Sequence, residues 1–223
     1  MRPAAREKQM DNGANLFTIG HSNHELDWFL KLVKAAEVTA IADVRSQPAS
    51  RRHPQYNRSE LEIALPHHGI AYVYLGHELG GRPEDPDLYD EDGRVAYERV
   101  RRTYLFQEGL ERLMRGLERY RIALFCAEED PLDCHRGLMI APALVERGMS
   151  PVHLRRTGVQ ETTEEMEDRL LAATRVGEGF LDGLFAEQIT AEDRRRMLEQ
   201  AYRLQARRKA FRLQPGAMDD PGE

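Results

Sequence analysis

Cysteine is scarce. Cys126 and Cys134 are the only two in 223 residues, too few for the disulfide framework of a small secreted scaffold. Long apolar runs are missing, and the first fifteen residues are polar with no hydrophobic core of a signal peptide. No membrane span or export signal is read, and cytoplasm is the expected location. There is no GxxxxGK[ST] loop and no GxGxxG, so neither ATP nor a dinucleotide is supported and no cofactor is expected. Internal repeats and low-complexity tracts are also absent. Lys8, Lys31, Lys34 and Lys209 are the only lysines among 32 basic residues. Arginine favours planar recognition of phosphate or carboxylate, but a codon bias towards Arg and Ala explains most of this excess. With a net charge of −6, the whole molecule is not a general polyanion binder.

A hydrophobic content of 41% over this length supports one sizeable core and an appendage. Residues 1–15 read as a disordered leader. Residues 16–156 alternate between strand and helix patterns. Apolar runs at 16–19, 38–44, 70–75, 122–126 and 151–154 read as strands, and Leu26, Phe29, Leu30 and Val33 recur at helical spacing. A short helix is expected over 59–68, a helix broken near Gly109 or Gly116 over 94–120, and another from Asp133 to about Glu146. The loops 45–57, with Pro48 and Pro54, and 76–93 are irregular. This order predicts an α/β fold, a mostly parallel open sheet of about five strands with helices on both faces. Residues 157–213 read as a helical extension, with helices over 161–174 and 191–212, and 214–223 as a disordered tail. Within the second of these helices, the segment 194–212 carries Arg194, Arg195, Arg196, Arg203, Arg207, Arg208, Lys209 and Arg212 against the single acid Glu199. It reads as a contact for nucleic acid, a protein partner or a second copy through 160–213, or as a helix docked on the acidic body.

In open parallel sheets ligands bind beyond the carboxyl ends of the strands. The expected strand ends deliver His21 and Ser22, then Asp43, Arg45, Ser50 and Arg51, then Arg82, and finally Glu128, Cys134, His135 and Arg136. His21 is a candidate general acid or base. Asp43 either orients Arg45 or acts as a base, and a structural ion pair is the plainer alternative. Arg45, Arg51, Arg82 and Arg136 suit an anion clamp, with Ser22, Ser50 and Glu128 as further substrate contacts. With Asp133 as helix cap, Cys134, His135 and Arg136 fall in a first helical turn. There the backbone N–H groups favour an anion and lower a thiol's pKa. An anion site, a nucleophilic Cys134 with His135, and a buried packing cysteine are the readings of this turn. Cys126 reads as core. His21, Cys126, Cys134 and His135 together match no zinc spacing, so no metal is expected. The tyrosines Tyr72 and Tyr74 read as half-buried core.

The strings TIGHS (18–22), ADVRSQPASR (42–51), LGHELGGR (75–82) and CAEEDPLDCHR (126–136) resemble the family catalogued as domain of unknown function 488, over roughly residues 16–155. The resemblance implies no particular activity and does not reach the helical extension. Rhodanese-type sulfurtransferases also pair an Asp-x-Arg strand end with a cysteine after another strand, but their short glycine-bearing cysteine loop is missing here.

Three functions compete. The first is an enzyme acting on a phosphate-bearing substrate, a nucleotide or nucleic acid, held by the arginines and the Cys134 turn. The second is thiol-dependent catalysis or sulfur transfer through Cys134. The third is a non-catalytic module that binds a small anion or nucleic acid and recruits a partner. The first leads narrowly, because arginines outnumber thiols at the expected site.

Overall fold

The computed structural model describes residues 15–178 and 189–213. The leader and tail expected at the two ends lie outside these residues, apart from Asn15.

Strand β1 (Leu16–Gly20) leads through helix α1 (Leu26–Ala35) to β2 (Ala40–Asp43), and α2 (Arg58–His67) leads to β3 (Ala71–Tyr74). Short helices α3 (Gly76–Leu79) and α4 (Tyr97–Arg101) and the longer α5 (Tyr104–Leu117) precede β4 (Ile122–Cys126). Then come α6 (Ala141–Val145), β5 (Val152–Leu154), β6 (Gln160–Glu161), α7 (Thr163–Thr174) and α8 (Ala191–Lys209). The sheet order is β3-β2-β4-β1-β5-β6. All neighbours are parallel except the short β6, which pairs antiparallel with β5 and was not expected from the sequence.

The fold is α/β, and alternation along the strands divides the core between the two faces. Phe17, Ile19, Ile41, Ala123 and Phe125 pack with Phe29, Leu30, Leu61 and Leu65 on the α1/α2 side. Leu16, Ala40, Ala42, Leu124 and Cys126 pack on the other side with Phe106 and Leu110 of α5. The α7 residues Met166 and Leu170 and the α8 residue Ala201 belong to this second cluster. The helical extension is therefore docked on the same core.

The expected helix over 94–120 breaks at Arg102–Thr103 and not at a glycine. Thr103 Oγ1 accepts from the Phe106 N–H at 3.2 Å and starts α5 as its cap. Gly109 stays helical, and a Cβ there would meet Leu79 and the Glu78 side chain at under 3 Å. Capping boxes begin both extension helices, Thr162 with Glu165 and Thr190 with Asp193.

Much of the α8 charge is paired, either along the helix or with carboxylates of the body. Arg194 pairs with Asp168 at 2.9 Å, Arg203 with Glu98 at 2.6 Å, and Arg195 with Glu192 at 2.8 Å. Beyond α8 the chain doubles back onto the 76–96 loop. The Val95 N–H donates to Phe211 O at 3.0 Å, and the Leu213 N–H donates to Gly93 O at 2.9 Å.

Candidate functional site: a thiol–imidazole floor

The sheet register sets Gly20 opposite Cys126 and Asp43 opposite Phe125, so β1, β2 and β4 end side by side. Above these ends lies a cavity of about 810 Å³. Cys126, Cys134 and His135 form its floor.

After β4 the chain makes a tight helical turn over Pro131–Asp133. Asp130 caps this turn by accepting from the Leu132 N–H at 2.9 Å. Asp133 is therefore not the cap expected from the sequence. Cys134 is extended, with φ −137° and ψ 146°. Its carbonyl accepts from the N–H groups of Gly137 and Leu138 at 3.1 and 3.0 Å. Cys134 thus stands at the cap of the next helical stretch, one step before the first turn in which it was expected. Arg136–Ile140 wind as a wide π-type turn into α6.

His135 is fixed at both ring nitrogens. Nε2 lies 2.9 Å from Val44 O, and since a carbonyl only accepts, Nε2 carries the proton and Nδ1 is bare in the neutral ring. Nδ1 is 3.7 Å from the Cys126 Sγ and 3.7 Å from the Cys134 Sγ. Gly81 lies flat against this ring, and a Cβ there would sit 2.8 Å from His135 Cγ.

The two thiols divide their protonation. Cys126 is raised well above its ordinary pKa, first by the hydrogen bond it makes with Cys134, then by burial. Burial pushes Cys134 up as well, but the neighbouring Cys126 thiol, His135 in its protonated form and the Arg136 guanidinium outweigh it and bring Cys134 well below the usual thiol range. Of the two thiols, Cys134 is the one disposed to ionise and Cys126 the one disposed to stay protonated.

The structure places the expected site residues unequally. His21, Ser22, Arg45, Ser50, Arg82 and Glu128 line the cavity with the floor residues. His21 Nδ1 donates to Ser22 O at 2.7 Å, and its ring stacks on Tyr56 at 4.5 Å. Burial lowers its pKa to about 4, so it is neutral at pH 7. Ser50 Oγ accepts from the His53 N–H at 3.1 Å, which shapes the loop. Burial and the Cys134 sulfur raise the Glu128 pKa.

Asp43, Arg51 and Arg136 do not line the cavity. Asp43 is fully buried and paired with Arg45, whose Nε and Nη2 lie 2.9 and 2.7 Å from its two oxygens. Tyr72 Oη donates to the same carboxylate at 2.8 Å. Arg45 also reaches Tyr56 O at 2.8 Å and lies over the Phe125 ring. This is a structural ion pair at a strand end. Arg136 is 1% exposed beneath the floor, and its three nitrogens donate to Thr18 Oγ1, Glu128 O and Glu129 O. Arg51 is exposed outside the cavity.

Sequence reasoning missed Tyr97, Lys209 and Phe211, which line the cavity together with Arg52 and His53. Arg52 and His53 sit in the irregular loop 45–57, next to Arg51. Lys209 and Phe211 come from the end of α8, where the charge run was the one available signal. Arg82 lies 4.5 Å over the Phe211 ring and donates to Gln47 Oε1 at 3.1 Å. Lys209 pairs with Asp133 at 2.8 Å.

A family model described as domain of unknown function DUF488 matches residues 25–141, more than half of the chain. The chain belongs to the DUF488 family. No curated protein and no solved structure shows significant similarity to it. The DUF488 match contains Arg45, Gly81, both cysteines and His135. It leaves out His21 and Ser22 upstream, and Lys209 and Phe211 downstream. The floor of the cavity is thus family sequence, and part of its wall is not.

Proposed function

We propose that this protein is a thiol-dependent enzyme acting on a small anionic substrate, with Cys134 as nucleophile and His135 as its base. The observation that carries this reading is the bare Nδ1 of His135, aimed at the Cys134 sulfur from 3.7 Å while Val44 O holds the other end of the ring. A nucleophile, a base and a third group that orients the base are the working parts of covalent catalysis. The phosphate-clamp reading loses ground because Arg45 and Arg136 are engaged in structural bonds. The cations at the rim, Arg52, Arg82 and Lys209, still favour an anion. A polymeric nucleic acid is less well supported, because much of the α8 charge is paired with carboxylates of the same chain.

The chemistry is a displacement by sulfur at an electrophilic atom of the substrate. The Cys134 sulfur bonds to the electrophilic atom of the substrate, and any thiol proton passes to His135 Nδ1. The substrate's leaving group departs with its electron pair and takes that proton.

Alkylation at pH 7 tests this, on reduced protein in chelator, with rates read at each cysteine by peptide mass spectrometry. Cys134 is expected to react faster than Cys126 and faster than glutathione. The anionic reagent iodoacetate should gain on neutral iodoacetamide relative to their ratio with glutathione, and phosphate should protect. If both cysteines are inert until the protein unfolds, the proposal fails.

A further inference from the structure

A base serving one nucleophile has no need to stand at the same distance from a second thiol, yet His135 Nδ1 is 3.7 Å from both sulfurs. The ligand atoms of Cys126, Cys134 and His135 all lie within 4.8 Å of one another. We infer that these three residues bind a soft divalent cation of the zinc class, and that the bound ion switches off the thiol chemistry of the floor. The inference deepens the thiol-enzyme reading as a regulation of the same site, but it stands on ligand geometry and not on nucleophilicity.

Three features support it. Metal–sulfur bonds of about 2.3 Å and metal–nitrogen bonds of about 2.0–2.1 Å at tetrahedral angles put sulfur and nitrogen about 3.6 Å apart. The two observed separations meet that value with little movement. His135 has the second contact that metal-bound imidazoles require, an Nε2–H held by a backbone carbonyl, which leaves Nδ1 as the ligand. Two thiolates and a neutral imidazole cancel a double positive charge, which suits residues as buried as Cys126 and Cys134.

Thiolate and imidazole donors select zinc-class ions over magnesium or calcium. All three ligand residues line the cavity, so a fourth position faces it. The ion forms two metal–sulfur bonds and one metal–nitrogen bond, any remaining thiol protons leave to solvent, and no redox change occurs. Both sulfur lone pairs then point at the ion, and neither is free to attack.

The test is a cobalt titration of the reduced, chelator-stripped full chain, followed by displacement with zinc. The expected result is one cobalt per chain, with the visible bands of a tetrahedral ion and the near-ultraviolet charge-transfer band of thiolate ligation. Zinc should abolish both signals and slow alkylation of both cysteines at least tenfold, and chelator should restore it. Cys126→Ser and His135→Gln should each weaken cobalt binding at least tenfold. The parent spectrum carries the test by itself should a variant fail to fold. Cobalt binding without a charge-transfer band, or no binding at all, overturns the inference. If that happens while Cys134 still alkylates rapidly in chelator, the thiol-enzyme reading stands. If the cobalt spectrum is as expected but the stripped thiols are inert, the metal site stands and the thiol-enzyme reading falls.

Discussion

Two sets of arginines lie around and beneath this cavity, and their surroundings are opposite. Arg45 and Arg136 are buried, and their guanidinium groups are tied to Asp43, to Thr18 and to backbone carbonyls. Arg52 and Arg82 are exposed at the rim, and Arg82 has its flat face on Phe211. The buried pair builds the strand ends, and the rim pair lines the cavity. A strand-end arginine in a sequence therefore announces the place of a pocket more reliably than it announces a ligand contact.

The sharpest way to break this comparison is to remove a buried arginine. Arg45→Met leaves the Asp43 carboxylate unpaired in the core and should cost about 3–5 kcal/mol in denaturant unfolding. Adding Asp43→Asn should recover part of that loss. If Arg45→Met is as stable as the parent, the structural role assigned to Arg45 is wrong.

Acid should find the same buried layer. His153 is fully buried beside Arg136, with Nδ1 2.8 Å from Thr18 Oγ1. Burial, with help from Arg136, lowers its pKa to about 3. The unfolded chain binds this proton near pH 6.5 and the folded one does not. Folding stability is therefore intact above roughly pH 6.5 and is lost as pH falls towards 3, by on the order of 4 kcal/mol. His153→Gln should flatten that limb in pH-dependent melts, and an unchanged limb would reject the assignment.

Gly81 links the rim loop to the floor. Gly81→Ala drives a methyl group into the His135 ring, and should cost about 1–3 kcal/mol. It should also lower the Cys134 alkylation rate at least tenfold in protein that remains folded. An unchanged rate would show that the ring position is not what activates the thiol. The smallest effect belongs to Arg82→Ala. Its stability should stay within about 0.5 kcal/mol of the parent, and the iodoacetate preference should fall several-fold. Loss of stability in place of loss of preference would put Arg82 with the buried set.

Much of the fold was legible because strand alternation writes itself directly into the sequence. The five parallel strands and the two extension helices lie close to their expected places. The short β6 was not legible, since a two-residue strand has no period to read. The break before α5 was misplaced because a threonine cap competed unnoticed with two more conspicuous glycines. At the site, the chemistry of Cys134 and His135 could be proposed from their position after a strand. The partnership of Cys126 with them could not. That depends on the extended backbone of Cys134 and on a carbonyl from β2's end that turns the imidazole, and neither leaves a mark in spacing.

The return of the chain beyond α8 has a consequence for the order of events in the cell. The thiols are synthesised before the wall bearing Lys209 and Phe211, which is fastened to Gly93 and Val95. While the protein is still being made, Cys126 and Cys134 emerge without that cover. The cavity wall is thus completed only when the residues beyond α8 reach Gly93 and Val95.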